Sequence, residues 1–459
     1  MKKTILMIYL VLISNPEAPA QETGILDTYI QYGLDNNLTL QRKDYSFQQS
    51  MYALNEARSR FLPKIVFSAR YSMAGGGRTI DFPVGDMLNP VYNSLNQLMQ
   101  QDGIDGPFDE IENVQINFIR AREQETKLSV LQPLLNHGIT NQYKMAEEQT
   151  SINRLELDIY RKELIKEIKS AYFNYLKSVN ILELVDETRK VLKENLRVTT
   201  KLFERGLITE DKVMRSRSEL RRLDVNEAAA IKNFEMAKAY FNFLLNRDKG
   251  DTIRRDRHFE IIAIPEQGNP GKYYQSALTN REELFQIDRH YTANECAIKS
   301  VNSQFLPSVS LAVDYGFQGV DYNFSTRSDF LMGSVVLQWN LFSGFSKINQ
   351  KQRALMNRRI IRNQRTEFES SLELDVREAY HTLEQHIKAY EAALAELTET
   401  EKTFHITNQL YRQGKASLIE LIDSRTTMTD ASVTKIVTQY DILIAEAELE
   451  RVSGPLSFE

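Results

Sequence analysis

Histidine is the residue type best suited to bind a metal ion or to transfer protons near neutral pH, and this chain contains six. His381 and His386 are the closest pair, but they are five residues apart, whereas two side chains share a helix face at spacings of three or four. The only cysteine, Cys296, has no partner for a disulfide. Neither a phosphate-binding loop nor a nucleophile elbow occurs. The sequence therefore predicts no catalytic residue, no metal site and no cofactor, and we expect the protein not to be an enzyme.

The overall charge and the N-terminus limit the possible partners and location. With 57 basic against 62 acidic residues, the chain has a net charge of -5, which predicts no binding to nucleic acid. Residues 1–20 have two lysines, an apolar run at 5–13 and the triplet Ala18-Pro19-Ala20. This pattern is typical of a signal peptide cleaved before Gln21. The apolar run is about half of the ~20 residues that a spanning helix needs.

The chain contains a tandem repeat. SRFLPKIVFSARY at 59–71 matches SQFLPSVSLAVDY at 303–315, and the glycine exits at Gly138 and Gly344 also correspond. The separation between matching positions falls from 244 at Pro63 and Pro307 to 206 at the two glycines. The first copy therefore has about 38 additional residues, and they lie between 72 and 127.

Each half is predicted to run helix, strand, loop, strand, long helix, glycine turn and long helix. Between Gly138 and Gly206 there is neither proline nor internal glycine, so a single helix there would be roughly 100 Å long. Apolar residues recur at intervals of three and four residues in both halves, which is the spacing of one helix face. They are Leu164, Ile168, Ala171, Tyr175, Leu182, Val185, Leu192 and Leu196 in the first, and Leu372, Val376, Ala379, Leu383, Tyr390, Leu397 and Phe404 in the second.

Four segments alternate apolar with polar or small residues, and they predict strands at about 62–73, 127–135, 307–317 and 331–341. This alternation is typical of transmembrane β-strands. On that reading the lipid-facing residues are Phe67, Tyr71, Leu311, Tyr315 and Trp339, and the lumen-facing ones are Ser68, Arg70 and Asp314. A sheet with one face on a soluble core has the same period. Four strands cannot close a barrel, so a membrane barrel would need a dimer, a trimer or a higher ring.

The motifs resemble those of the TolC-type outer-membrane efflux proteins over nearly the whole mature chain. The resemblance rests on Asn55-Glu56-Ala57-Arg58 before Phe61-Leu62-Pro63, on the exits Asn136-His137-Gly138 and Phe342-Ser343-Gly344, and on ERGLITEDKV and RQGKASLIELIDSRT. It implies a mainly α fold with transmembrane β. Four strands per chain would form a twelve-stranded barrel shared by a homotrimer, continuous with a tunnel of long helices.

The same resemblance implies a function and a location. The protein would be a passive duct for tripartite efflux or type I secretion in the outer membrane of a Gram-negative bacterium, extending into the periplasm. Its partners would be a periplasmic adaptor, an inner-membrane pump of the RND or ABC type, and outer-membrane lipid. The rival interpretation is a soluble periplasmic coiled-coil adaptor or scaffold, which would form no pore.

The implied domain organisation has five parts. They are a signal peptide at 1–20, a first repeat at 21–246 with a helical hairpin at 138–246, an equatorial linker at 247–275, a second repeat at 276–452 with a hairpin at 344–452, and a tail at 453–459. The segment 72–127 is expected to be a large extracellular loop with a short helix over VYNSLNQLMQ. It would either cover the pore mouth or be a variable surface loop.

The resemblance also implies a gate at the helix tips. Gly206, Leu207, Gly414 and Lys415 would lie at the hairpin tips that meet the adaptor, and Glu420 and Asp423 would ring the constriction. Both acids also have a local explanation, since Ser417 and Glu420 form a capping-box pattern and Asp423 lies near the helix start. Lys212 departs from the family pattern, which has an acid there, and a pair of Lys212 with Glu420 or Asp423 is one expected closing contact.

Overall fold

The computed structural model describes residues 24–106, 108–255 and 269–454. The elements are α1 (Ile25–Asn36), α2 (Leu38–Ser59), β1 (Lys64–Met73), β2 (Thr79–Phe82), α3 (Val84–Gln101), β3 (Val114–Asn117), β4 (Arg122–Leu135), α4 (His137–Glu204), α5 (Glu210–Leu244), α6 (Pro270–Asn280), α7 (Glu282–Ser303), β5 (Ser308–Gly319), β6 (Asp329–Gln338), α8 (Ser346–Arg412) and α9 (Leu418–Ser453). The predicted signal peptide lies outside the described residues, as do 256–268 of the linker and 455–459 of the tail.

The chain forms two compact units, and the larger one is helical. It combines the described residues of 1–51, 148–292 and 358–459. Many of the apolar residues predicted at intervals of three and four lie in its cores: Leu164 and Ile168 in one cluster, and Leu372 and Val376 in another, are fully buried. The order of elements along the chain also confirms the tandem arrangement of strands and long helices that the repeat predicts.

The smaller unit combines the described residues of 52–147 and 293–357. Its main sheet is antiparallel, with the strand order β1-β4-β5-β6. Pro63 and Pro307 each stand between a helix and a strand, where the missing amide hydrogen leaves no ladder bond unmade. Each repeat contributes a hairpin to the sheet, and the two hairpins join where β4 pairs with β5.

Two strand boundaries differ from those expected. β4 begins at Arg122 rather than at 127, because Arg122 to Thr126 continue the pairing with Met73 to Ala69 of β1. β6 ends at Gln338, so Trp339 lies just beyond the strand. The indole N–H of Trp339 donates to the backbone oxygen of Phe305 at 3.0 Å, and this contact holds the ring at the strand end.

The segment between β1 and β4 contains more secondary structure than the expected loop with one short helix. β2 and β3 form a second, two-stranded antiparallel sheet, and α3 has 18 residues. The expected helix over 91–100 is therefore only part of α3. Alternating residues in TIDF and VQIN account for the two-stranded sheet, but a run of four residues is too short to distinguish a strand from other structure by its periodicity.

Candidate functional site

The turns at the ends of α4 and α8 have the same backbone structure. Gly206 and Gly414 have φ of 69° and 70°, a conformation that glycine adopts without the Cβ clash. The amide of Leu207 donates to the oxygen of Leu202 at 2.9 Å, and the amide of Lys415 donates to that of Leu410 at 2.8 Å. Such bonds end a helix in a Schellman turn. The predicted tip residues therefore lie in turns, and the side chain of Leu207 is exposed.

Glu420 and Asp423 lie in the first turns of α9, on one face and exposed to solvent. The amide of Ser417 donates to Glu420 at 2.6 Å, and the amide of Glu420 donates to the Ser417 hydroxyl at 3.2 Å. This capping box lowers the pKa of Glu420 below its ordinary value, mainly through the backbone hydrogen bond. Glu420 therefore keeps its negative charge to a lower pH than a free glutamate does.

Lys212 lies in the first turn of α5, where its ammonium pairs with the neighbouring Asp211 at 3.1 Å. The pKa of Asp211 is lowered, first by the hydrogen bond from the Thr209 hydroxyl and then by Lys212. Within the described residues of one chain, Lys212 therefore pairs with the carboxylate one residue away, and the expected pair with Glu420 or Asp423 stays a prediction.

A buried ion pair that the sequence reading missed joins the two hairpins. The Nη2 atom of Arg425, on α9, lies 3.2 Å from Oε2 of Glu219, on α5, and the side chains are 7% and 17% exposed. Burial lowers the pKa of Arg425, and Glu219 counteracts this. One signal could have revealed the pair: Leu418, Leu421 and Arg425 are spaced three and four apart, which puts an arginine on the buried face of α9.

Hydrogen bonds between hydroxyl groups add a second contact near the tips. The Thr199 hydroxyl of α4 lies 3.2 Å from the Tyr411 hydroxyl of α8, and Ser216 of α5 donates to Thr199 at 3.4 Å. Tyr411 also packs with Leu418 and Leu421 in a small buried cluster. The tips of the two hairpins are thus joined by polar and apolar contacts.

The main sheet separates the predicted surface residues onto two faces, since directly paired residues project to the same side. Phe67 pairs with Leu128, and Leu128 pairs with Tyr315. By strand alternation, Tyr71 and Leu311 lie on this face as well. Several of its large apolar side chains are exposed: Phe67 is 69% exposed and Val335 of β6 is 70% exposed.

The opposite face carries a row of charges across three strands. Arg70 of β1 lies 3.2 Å from Glu125 of β4, Lys127 lies 3.1 Å from Glu125, and Lys127 lies 4.0 Å from Asp314 of β5. Ser68 lies on the same face, because it pairs with Lys127. Arg70 and Asp314 were predicted from the sequence, but Glu125 and Lys127 were not, because Glu125 precedes the predicted start of the return strand at 127 and Lys127 stands at its first position.

The outer edges of this sheet are available for pairing. β1 and β6 are the terminal strands, so within the described residues each has one edge without a partner strand. Among all the residues that the structure describes, no helix is long and apolar enough to cross a membrane. No group of three or more histidine, cysteine or acidic residues there is placed to hold a metal ion.

Comparison with known proteins identifies the family. The family model described as outer membrane efflux protein matches residues 29–245 and 273–455. The outer membrane protein TolC of Salmonella enteritidis is 19% identical over 470 residues, covering 100% of this chain and 87% of that protein, and TolC of Escherichia coli K12 is 19% identical over 479 residues with the same coverage.

Solved structures have the same fold. The outer-membrane channel OprN has a TM-score of 0.76 at 15% identity, covering 94% of this chain and 90% of that one. The Campylobacter jejuni CmeC outer membrane channel has a TM-score of 0.76 at 17% identity, with 94% and 85% covered. The predicted TolC-like fold is confirmed, and the comparisons give no support to a soluble adaptor. The chain belongs to the outer membrane efflux protein family and is an efflux channel of the outer membrane that extends into the periplasm.

Proposed function

We propose that three copies of this chain form one passive duct, with a shared twelve-stranded barrel in the outer membrane and a tunnel of long helices in the periplasm. One observation carries the proposal: the sheet has a polar, ion-paired face, an exposed apolar face and, among the described residues, two edges without a partner strand. A strand edge facing lipid leaves backbone groups unpaired, which costs several kcal/mol each. Pairing β6 of one copy with β1 of the next would remove every such edge.

In this assembly the charged face lines the lumen. Ser68, Arg70 and Asp314 would face water, and Phe67, Tyr71, Leu311 and Tyr315 would face lipid. Trp339, just beyond the end of β6 and 54% exposed, would lie at the membrane interface, where indole rings are enriched. Because Arg70, Glu125, Lys127 and Asp314 are ion-paired with one another, the barrel itself would have only weak charge selectivity.

The periplasmic end would form the gate. Three copies would bring Glu420 and Asp423 together as about six carboxylates around one axis, which favours cations. The buried pair Arg425–Glu219 would hold α9 of the second hairpin against α5 of the first in the closed state. Lys212, paired with Asp211, would lie beside this constriction without forming the closing contact.

The exposed hairpin tips would receive a periplasmic adaptor. Gly206, Leu207, Gly414 and Lys415 occupy two turns of the same geometry, so an adaptor with a repeated helical tip could contact both. The adaptor would connect the duct to an inner-membrane pump of the RND or ABC type. The energy for transport would come from that pump, and the duct would perform no enzymatic step.

The assembly can be tested on the full chain expressed with its N-terminal segment. We expect recovery in the outer-membrane fraction, a native mass of about three chains in detergent that falls to one chain on boiling, and discrete conductance steps in planar bilayers. Recovery as a periplasmic species without a pore would contradict the proposal. A pore with a native mass other than three chains would contradict the trimer alone.

A further inference from the structure

Helix α3 is fixed to the segment that returns to β3. The Asn89 side chain donates to the Ile111 oxygen at 2.9 Å and accepts from the Ile111 amide at 2.9 Å. Asn96 makes the same pair of bonds with Phe108, at 2.7 and 3.3 Å. The two asparagines are seven residues apart and therefore lie on one face of the helix. Each asparagine side chain thus pairs with both the N–H and the C=O of one residue in the return segment, as a neighbouring strand would. These four hydrogen bonds fix the rotation of α3 about its axis.

Close packing supports the same arrangement. A Cβ added at Gly85 would lie 2.2 Å from the Ile111 oxygen, so only glycine permits this approach. On the same side of the helix, the rings of Tyr92 and Phe108 have centroids 5.0 Å apart. The face of α3 that carries Gly85, Asn89, Tyr92 and Asn96, its inner face, thus packs closely against the return segment.

The outer face of α3 carries an apolar seam at Val84, Leu88, Val91, Leu95 and Leu98. Their spacings alternate between four and three, which is the spacing of a coiled-coil interface. Leu88, Val91, Leu95 and Leu98 are between 37% and 60% exposed. The helix has a single charged residue, Asp86, so like charges would not oppose the approach of identical helices.

We propose that this seam packs against α3 of two other copies and forms a short, parallel, three-stranded coiled coil at the mouth of the channel. The proposal rests on the trimer proposed above, which places three copies of α3 around one axis. The residue types support three strands: leucine occupies the a positions, Leu88 and Leu95, and β-branched valine occupies two d positions, Val84 and Val91. β-branched residues at d shift coiled coils from dimers towards trimers and tetramers.

A membrane surface fits the seam less well. Helices that lie in the headgroup region carry lysine and arginine on their polar face, and α3 has neither. An isolated helix of 18 residues would associate only weakly. Here the barrel would hold the three helices close together, at a high effective concentration. The additional residues of the first repeat would thus narrow the pore mouth and brace the trimer.

Cysteine cross-linking in the full-length protein tests the seam. In a Cys296→Ala background, Leu95→Cys places a thiol at an a position, and Asn93→Cys is the matched control on the far side of the same helix. Each variant is treated in outer membranes with an oxidant or a short bismaleimide and then analysed on denaturing gels. We expect Leu95→Cys to give several-fold more cross-linked chain than Asn93→Cys, at the mass of two copies, because one thiol per chain can be joined to only one other thiol.

The outcomes separate this proposal from the one on which it rests. A native trimer in which Leu95→Cys cross-links no better than Asn93→Cys would overturn the coiled coil and leave the duct intact. A cross-linked band containing a different protein would overturn it in favour of a foreign partner. A native mass other than three chains would overturn the trimer, and the three-stranded seam with it.

Discussion

Arg425 and Glu219 form a buried ion pair that joins α9 to α5 close to the hairpin tips, with Nη2 and Oε2 3.2 Å apart. Arg425→Leu would leave the Glu219 carboxylate buried without its partner. We expect a loss of ~3–5 kcal/mol in the free energy of unfolding and a more open resting channel with a higher conductance. Denaturant titrations followed by circular dichroism measure the first, and planar bilayer recordings measure the second.

Two variants make this result specific. The double variant Arg425→Leu/Glu219→Leu removes both charges of this pair, so most of the stability should return while the conductance stays high. Arg221→Leu removes an arginine that is 81% exposed from its ion pair with Asp224, and it should cost less than ~1 kcal/mol. Equal losses for Arg221→Leu and Arg425→Leu would show that the buried pair has no special role.

The fold could be predicted from the sequence because its signals are periodic and duplicated. Pro63 and Pro307 mark matching helix-to-strand junctions, and Gly206 and Gly414 mark matching helix ends. Each is a position where backbone geometry restricts the residue type. Evidence from one repeat therefore supported the same assignment in the other.

The contacts between elements were harder to predict. Lys212 was expected to pair with Glu420 or Asp423 of the second hairpin, but within one chain its ammonium pairs with the adjacent Asp211. The pair Arg425–Glu219 depends on how α9 packs against α5, and helical periodicity gives the buried face of a helix without naming its neighbour. The full length of α3 and its contacts were missed for a different reason: the segment has no counterpart in the second repeat, and its asparagines bind backbone atoms, which leave no pattern in the sequence.

The assignment of sheet faces predicts opposite effects for adjacent residues of β6. Val335→Lys places a charge on the apolar face, which would contact lipid, and should destabilise the barrel by up to ~2–4 kcal/mol, depending on its depth in the bilayer. Ser334→Lys lies on the opposite face and should leave the amount of membrane-inserted trimer unchanged. The heat-labile trimer band in outer membranes measures both variants. A larger loss of the trimer band in Ser334→Lys than in Val335→Lys would reverse the assignment of the lipid-facing and lumen-facing sides of the sheet.

Removing the carboxylates at the start of α9 should change ion selectivity. The double variant Glu420→Gln/Asp423→Asn keeps similar side-chain shapes and removes the negative charges of the proposed ring. We expect the preference for cations, measured as the reversal potential in a salt gradient, to fall strongly. Asp430→Asn, further along α9, is the matched control and should change it less. An unaltered reversal potential in the double variant would exclude the ring.

The capping box predicts how this selectivity depends on pH. Hydrogen bonds from Ser417 lower the pKa of Glu420 below 4.5. Glu420 should therefore stay charged to a lower pH than an ordinary glutamate, and its share of the cation preference should disappear only when the pH falls through the lowered pKa. Ser417→Ala removes the hydroxyl contact, so the loss should move to a higher pH in reversal-potential measurements. The same titration midpoint in both proteins would contradict this coupling.

A second buried charge cluster lies in the helical unit, at the start of α7 and the end of α9. The side chain of Glu283 accepts from Nε of Arg281 at 2.9 Å and from Nη2 of Arg451 at 2.8 Å. Arg281 also donates to the backbone oxygen of Val452 at 3.1 Å, near the C-terminus of α9. Burial raises the pKa of Glu283, but the two arginines outweigh it and hold the pKa below 4.5.

Glu283→Gln should therefore destabilise the helical unit in a pH-dependent way. The variant leaves the buried guanidinium of Arg281 without a carboxylate and leaves Arg451 with Glu163 as its remaining partner, at a cost of up to ~3–5 kcal/mol. Because the folded pKa of Glu283 is lowered, its contribution is complete above 4.5 and is lost as the pH falls through the folded value. Denaturant titrations should thus show a constant gap between the two proteins above pH 4.5 that narrows in more acidic buffer. Glu373→Gln, at an exposed pair with Arg377, should give almost no gap at any pH. A gap for Glu283→Gln that widens in acid would refute the lowered pKa.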